Sequence, residues 1–234
     1  MLSANYDLPR AAKALRKLVS NPDDLPQVFT LIESLPGGAQ ERFYAGFQRT
    51  EEGRELLRDE PDIVKYLGDR AWLRTLPEGS LGRAYLDFVE SENISAEGII
   101  EASKRGMDGE KDDHLTFIRA RMRDTHDLWH ALTGYKGDVK GELALLGFIL
   151  AQNFHPGIAA IISAAMVRGL AGDDLWLIAD GFVRGKRAAW LPSVKWETLL
   201  DQPVTEVRKR LKVGEPRDYV PLRSSELRAR GLVN

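Results

Sequence analysis

At 234 residues, 43% hydrophobic and 29% charged, the chain is long enough to bury a sizeable core and reads as an ordinary soluble globular protein. A net charge of −2 gives no whole-molecule field that would attract nucleic acid, so no nucleic-acid partner is expected. There is no cysteine, which excludes disulfides and thiolate chemistry; any metal site must use His, Asp, Glu or backbone oxygen.

The N-terminal stretch lacks the continuous apolar run of a signal peptide. Leu8, Ala11, Ala12, Leu15, Leu18 and Val19 share one helical face, with Arg10, Lys13 and Lys17 opposite and Arg16 on the flank. This pattern predicts a first helix docked on the rest, with a membrane-surface helix as the competing reading. Asp23 and Asp24 precede a helix through Val28, Leu31, Ile32 and Leu35, which Pro36-Gly37-Gly38 ends. Further helices are expected over about 40–50 and 51–58. The turn Pro77-Glu78-Gly79-Ser80 leads into another over 81–90, where Leu81, Tyr85, Phe88 and Val89 share a face. Ser95 reads as an N-cap with Glu97 and Gly98 behind it, and 107–113 as a polar loop.

From His114 to Gly134 the periodicity predicts one long helix, broken by Lys136-Gly137-Asp138. Apolar helices follow over about 140–153 and 157–168, then another over 173–188. Residues 190–194, which include Pro192, are the only extended piece expected. The most apolar stretch, 143–170, is interrupted by Gln152, Asn153, His155 and Arg168 and does not read as a membrane span. With no strand alternation and no repeat, the chain is expected to be all-α, a single-domain helical bundle over 1–234.

His126 and His130 stand four apart on a helix, so their imidazoles project from one face and can reach one small cation. Asp127 flanks that face. Glu142 follows His130 by twelve residues, across a glycine-bracketed turn, at the start of the next helix. An antiparallel pair would bring it back beside the histidines. Two imidazoles and two carboxylates suit zinc and equally the facial site of ferrous iron. The competing reading is a His–Asp hydrogen bond that locks two helices, with Glu142 only favouring its helix dipole. His155, before Pro156, reads as a cap and His114 as solvated. Arg119, Arg121 and Arg123 crowd the approach; Arg119 and Arg123 are one turn apart and align with His126, which makes them the candidates for an anionic substrate group.

The run Arg121-x-Arg123-x-x-His126-Asp127-x-x-His130, with Glu142 after eleven intervening residues, resembles the signature of the coenzyme Q biosynthesis protein 4 family. The segment Leu76-Pro77-Glu78-Gly79-Ser80-Leu81-Gly82-Arg83-Ala84-Tyr85 resembles its upstream block. Trp190-Leu191-Pro192, Trp196-Glu197 and Val207-Arg208 resemble its C-terminal region. The likeness covers roughly residues 25–220. It implies a helical, membrane-peripheral protein that handles a polyprenylated aromatic precursor of ubiquinone alongside other ubiquinone biosynthesis proteins, removing the ring-carbon-1 carboxyl and placing a hydroxyl there. It implies a divalent metal on His126, Asp127, His130 and Glu142, usually zinc, with iron, manganese and cobalt as alternatives. Asp127 and Glu142 are the candidate catalytic carboxylates. A non-catalytic lipid-binding scaffold that organises the biosynthetic complex is the alternative. The absence of a mitochondrial presequence fits a bacterial member, cytoplasmic and peripheral on the inner face of the membrane, as monomer or homo-oligomer.

Overall fold

The computed structural model describes residues 6–94 and 114–233, so the expected cap at Ser95 and loop over 107–113 lie outside the described residues. Among the described residues the secondary structure is helical, with no named strand and one isolated bridge between Ser80 and Pro203. The helices are α1 (Leu8–Ser20), α2 (Leu25–Ser34), α3 (Ala39–Arg49), α4 (Glu51–Asp59), α5 (Val64–Leu67), α6 (Arg70–Thr75) and α7 (Leu81–Ser91). After the undescribed segment come α8 (His114–Asp124), α9 (His126–Thr133), α10 (Val139–Asn153), α11 (Pro156–Val167), α12 (Leu175–Arg187), α13 (Val204–Arg210) and α14 (Ser224–Ala229).

The core is organised around α10, apolar on nearly every face because it is surrounded: Leu143, Ala144, Leu145, Phe148, Ile149 and Ala151 are all buried. Its closest neighbour is α12, and the approach is made at glycines. A Cβ on Gly181 would sit closer than 3.0 Å to the Ala144 carbonyl oxygen, and one on Gly185 would do the same at Phe148. A Cβ on Gly147 would meet the Ile178 carbonyl at 2.5 Å. Backbone therefore packs on backbone where any other residue would hold the helices apart. The first helix is docked, as its periodicity predicts: Ala11, Ala14 and Leu18 pack with Leu31 of α2 and Ile161 of α11.

The sequence blocks far apart in the chain meet in the fold. The upstream block leans on the C-terminal one through Leu81 N–H to the Gln202 carbonyl and Gly82 N–H to the Leu200 carbonyl, both 2.8 Å. Arg121, fully buried, forks onto Glu197 at 2.8 and 2.9 Å and also donates to the Val194 carbonyl. Removing one partner of such a pair typically costs about 3–5 kcal/mol, because the other charge is left buried and unpaired.

Two expectations are corrected. The long helix over 114–134 is divided at Thr125, whose hydroxyl donates back to the Arg121 carbonyl at 2.8 Å; a β-branched residue that bonds its own preceding turn bends a helix. His126 thereby opens a new helix instead of continuing the old one. Residues 190–194 are not simply extended: Leu191–Ser193 form a 3-10 turn, which the fixed φ of Pro192 suits. Gln152 holds the turn, accepting from Leu191 N–H at 2.9 Å and from the Trp190 indole through its carbonyl at 3.2 Å.

His155 behaves as expected of a cap. Its Nδ1 accepts from Gly157 N–H at 3.1 Å at the start of α11, and the ring is buried. Burial, with the Arg42 guanidinium adding repulsion, pushes the imidazole down to about 4. The unfolded chain takes up this proton near pH 6.5 while the folded chain resists it until about pH 4, so stability falls as pH drops through that window. The full effect is roughly 3 kcal/mol. His155→Asn retains a cap acceptor without the titration, so the difference between pH 7 and pH 4.5 in denaturant stability should be about 2 kcal/mol smaller in this variant than in wild type.

Candidate metal centre

Three of the predicted ligands converge. His126 and His130 stand on successive turns of α9, their ring centroids 4.9 Å apart and inclined at 71°. Glu142, in the first turn of α10, returns beside them with one oxygen 3.2 Å from His130 Nε2 and the other 3.8 Å from His126 Nε2. One ligand atom from each of the three lies within 4.8 Å of the others, the spacing a single cation can bridge. His130 is completely buried, while the side chains of His126 and Glu142 are 29% and 43% exposed. The cluster therefore opens to solvent on one side.

The tautomer of His130 follows from its partner. Its Nδ1 lies 2.9 Å from the Tyr135 carbonyl, which can only accept, so Nδ1 carries a proton and donates it. Its Nε2 then points at Glu142, yet this buried nitrogen makes no hydrogen bond of acceptable geometry. A buried nitrogen that faces a carboxylate at 3.2 Å without a well-aligned hydrogen bond is what a cation between them would satisfy, and a carbonyl accepting from the other ring nitrogen is the usual companion of a ligating histidine. The residues present fit a divalent metal. Without one, burial disfavours charge on His130, but the Glu142 and Asp127 carboxylates outweigh it and raise the imidazole above its ordinary value. Burial likewise opposes charge on Glu142, and the two imidazoles still hold its carboxyl well below the usual range.

Asp127 takes a different place from the other three. It is buried behind the cluster with its Oδ1 3.2 Å from His126 Nδ1, so it faces the back of that ring while Nε2 faces Glu142. Phe88 of α7 stacks on His130 at 4.9 Å and 10°, a contact that its place on an apolar helix face did not distinguish from ordinary core packing. Of the arginines expected on the approach, Arg123 pairs with neighbouring Asp124 at 2.7 Å, and Arg119 donates to Thr116 at 3.4 Å. His114 is half-exposed beside Glu60.

The C-terminal end of α9 is held by two arginines that sequence reasoning did not connect to the site. Arg208 of α13 donates to the Leu132 and Ala131 carbonyls at 2.7 and 3.1 Å, and buried Arg184 of α12 donates to the Thr133 carbonyl at 2.9 Å. Both neutralise the exposed carbonyls at the negative end of the helix dipole.

Comparison with known proteins places the chain in a family. The family profile described as coenzyme Q (ubiquinone) biosynthesis protein Coq4 matches residues 11–217. The chain is 31% identical over 174 residues to the mitochondrial ubiquinone biosynthesis protein COQ4 homolog of Bos taurus, covering 72% of this chain and 63% of that protein. It is 32% identical over 178 residues to the mitochondrial ubiquinone biosynthesis protein coq4 of Neosartorya fischeri, covering 73% and 59%. The chain thus spans about three fifths of the length of the curated relatives it matches. A crystal structure of a Nostoc punctiforme protein, assigned provisionally to ubiquinone biosynthesis, shares the fold with a TM-score of 0.67 at 23% identity over 90% of this chain and all of that one. On the extent of the profile match and the identity to these relatives, the chain belongs to the coenzyme Q (ubiquinone) biosynthesis protein Coq4 family.

Proposed function

We propose that the protein acts in ubiquinone biosynthesis by removing the ring-carbon-1 carboxyl of a polyprenyl-hydroxybenzoate at a divalent metal held by His126, His130 and Glu142. The observation that carries this reading is the convergence of two imidazoles and one carboxylate with one side open to solvent. Three protein ligands and a free position are the pattern of catalytic sites, whereas structural sites are closed by four. A metal bound there supplies Lewis-acid stabilisation of negative charge as CO₂ leaves. Zinc is the ion the family suggests, and iron, manganese and cobalt suit the same donors.

The chain's own residues orient this chemistry. The Tyr135 carbonyl fixes His130 with its Nε2 toward the centre, and Asp127 does the same for His126, so Asp127 acts through an imidazole. Glu142 supplies the carboxylate nearest the open side, where the proton that replaces CO₂ on the ring carbon enters. Of the two arginines one turn apart on α8, Arg123 is taken up by Asp124, and Arg119 supplies the positive charge for the substrate's anionic group. The prenyl chain calls for a membrane surface nearby. No helix among the described residues is long and apolar enough to cross a membrane. Met166, Val167, Leu175 and Trp176, exposed on either side of the α11–α12 turn, offer the apolar surface that peripheral contact requires.

Purified protein, stripped and reloaded with each metal, should release labelled carboxyl from a prenylated hydroxybenzoate at least tenfold faster than the stripped protein. Asp127→Asn should lower that rate by about 10- to 100-fold while leaving the melting temperature within a few degrees of wild type. Carboxyl release that does not depend on metal, or that Asp127→Asn leaves unchanged, contradicts the reading.

A further inference from the structure

We propose that Tyr219 is a positioning residue for this centre, its phenol setting the spacing between the helix that carries His126 and His130 and the helix that carries Glu142. The inference rests on the reading that these three side chains hold a cation. It concerns a residue beyond the 11–217 span that matches the family profile, so membership alone does not assign it.

The two ligand helices are joined by the short turn over 134–138, which contains Gly134 and Gly137. One peptide unit in that turn, between Tyr135 and Lys136, is used on both sides. Its carbonyl accepts from His130 Nδ1 at 2.9 Å, and its N–H donates to the Tyr219 hydroxyl oxygen at 2.8 Å. The Tyr219 O–H in turn donates to Asp138 Oδ2 at 2.7 Å. Asp138 is the buried N-cap of α10: its Oδ1 accepts from Lys140 N–H at 3.1 Å and from Leu222 N–H at 2.8 Å, and its carbonyl takes the Glu142 N–H at 2.8 Å. Hydrogen bonds joined by the 135–136 peptide and by Asp138 itself therefore link the His130 ring to the Glu142 backbone, and the path passes through a single hydroxyl.

The surroundings are built for that hydroxyl. A Cβ on Gly141 would fall closer than 3.0 Å to the Tyr219 oxygen and to both the nitrogen and the oxygen of Lys136, so only glycine leaves room for the phenol at the start of α10. Burial and the Asp138 carboxylate push the Tyr219 phenol upward, so it keeps the proton it donates. The segment that delivers Tyr219 is anchored at both ends. Arg217 forks onto Asp180 at 2.9 and 3.0 Å, and the Leu222 carbonyl accepts from Val139 N–H at 2.9 Å. A phenol held this way resists any change in the distance between the histidines and Glu142, the distance a metal must bridge.

Cobalt(II) titration of the full chain, followed by visible absorbance, tests this. Tyr219→Phe should bind cobalt about tenfold or more weakly than wild type, with an altered d–d spectrum, as expected when a residue that orients a ligand is lost. Arg217→Gln, which loosens the same segment at Asp180 but leaves the hydroxyl in place, should bind as wild type does. Affinity and spectrum unchanged in Tyr219→Phe would overturn the proposal, and so would an equal loss in Arg217→Gln, which would make the effect one of segment stability. If circular dichroism shows Tyr219→Phe unfolded, Asp138→Asn replaces it with the same two outcomes, since it keeps a cap acceptor and removes the carboxylate that the phenol donates to. Wild type that binds no cobalt would overturn the metal reading and this inference with it, a result distinct from normal binding by Tyr219→Phe.

Discussion

His130→Ala should leave the protein unable to retain a divalent metal. His130 is the most deeply buried of the three converging side chains and the one whose Nε2 has no other partner, so water cannot take its place as easily as it could at half-exposed His126. Losing a first-sphere imidazole costs more than losing an outer-sphere partner, for which 10- to 100-fold is typical, so a loss of at least about 100-fold in affinity is expected. Elemental analysis after reloading with zinc, iron, manganese or cobalt should find close to one metal per wild-type chain and a negligible amount in the variant. Equal occupancy in both would remove His130 from the site. The Tyr135 carbonyl loses its donor in this variant, and Phe88 loses the ring it stacks on. A modest fall in melting temperature is therefore expected even without metal, and occupancy rather than stability is the quantity to compare.

Gly181→Val should be the most damaging substitution away from the site. The Gly181 Cα faces the Ala144 carbonyl across the α10–α12 contact, with Gly185 against Phe148 one turn further on. An added side chain meets backbone, which cannot move out of the way as a side-chain end can. Overpacking of a well-packed core costs about 1–3 kcal/mol, and separation of two whole helices belongs at or above the top of that range. For a chain of this size each kcal/mol lowers the melting temperature by about 2–4 °C, so a fall of roughly 10 °C is expected, measured by circular dichroism. Gly181→Ala should cost less, because alanine's better helix propensity returns about 1 kcal/mol. Because α10 carries Glu142, displacement of this helix should also weaken metal binding. A variant as stable as wild type would show that the close approach of the two helices is not needed.

Much of this arrangement was legible in the chain. Three- and four-residue apolar steps marked the long helices, and the four-residue spacing of His126 and His130 placed both rings on one face. The glycine-bracketed turn foretold that Glu142 would return. What was not legible depended on contacts across long separations. Nothing local in Arg121 or Glu197, 76 residues apart, says that they form a buried pair, and the same holds for Arg208 at the end of α9. Short helices such as α5, α6 and α14 hold too few turns for periodicity to show. The break at Thr125 was hidden because a threonine that bonds its own preceding turn looks in sequence like any other helical threonine. Asp127 shows the same limit at finer scale. Spacing put it on the flank of the histidine face, but only the fold shows it behind His126, facing Nδ1.

X-ray diffraction from metal-soaked crystals, with anomalous scattering recorded at the edge of the bound ion, tests the central claim most directly. The account predicts one peak within bonding distance, about 2 Å, of His126 Nε2, His130 Nε2 and a Glu142 oxygen. Asp127 should remain on His126 Nδ1, and at least one position on the solvent side should be taken by water or substrate oxygen. A peak elsewhere in the chain, or four protein side chains closing the ion off from solvent, would contradict it.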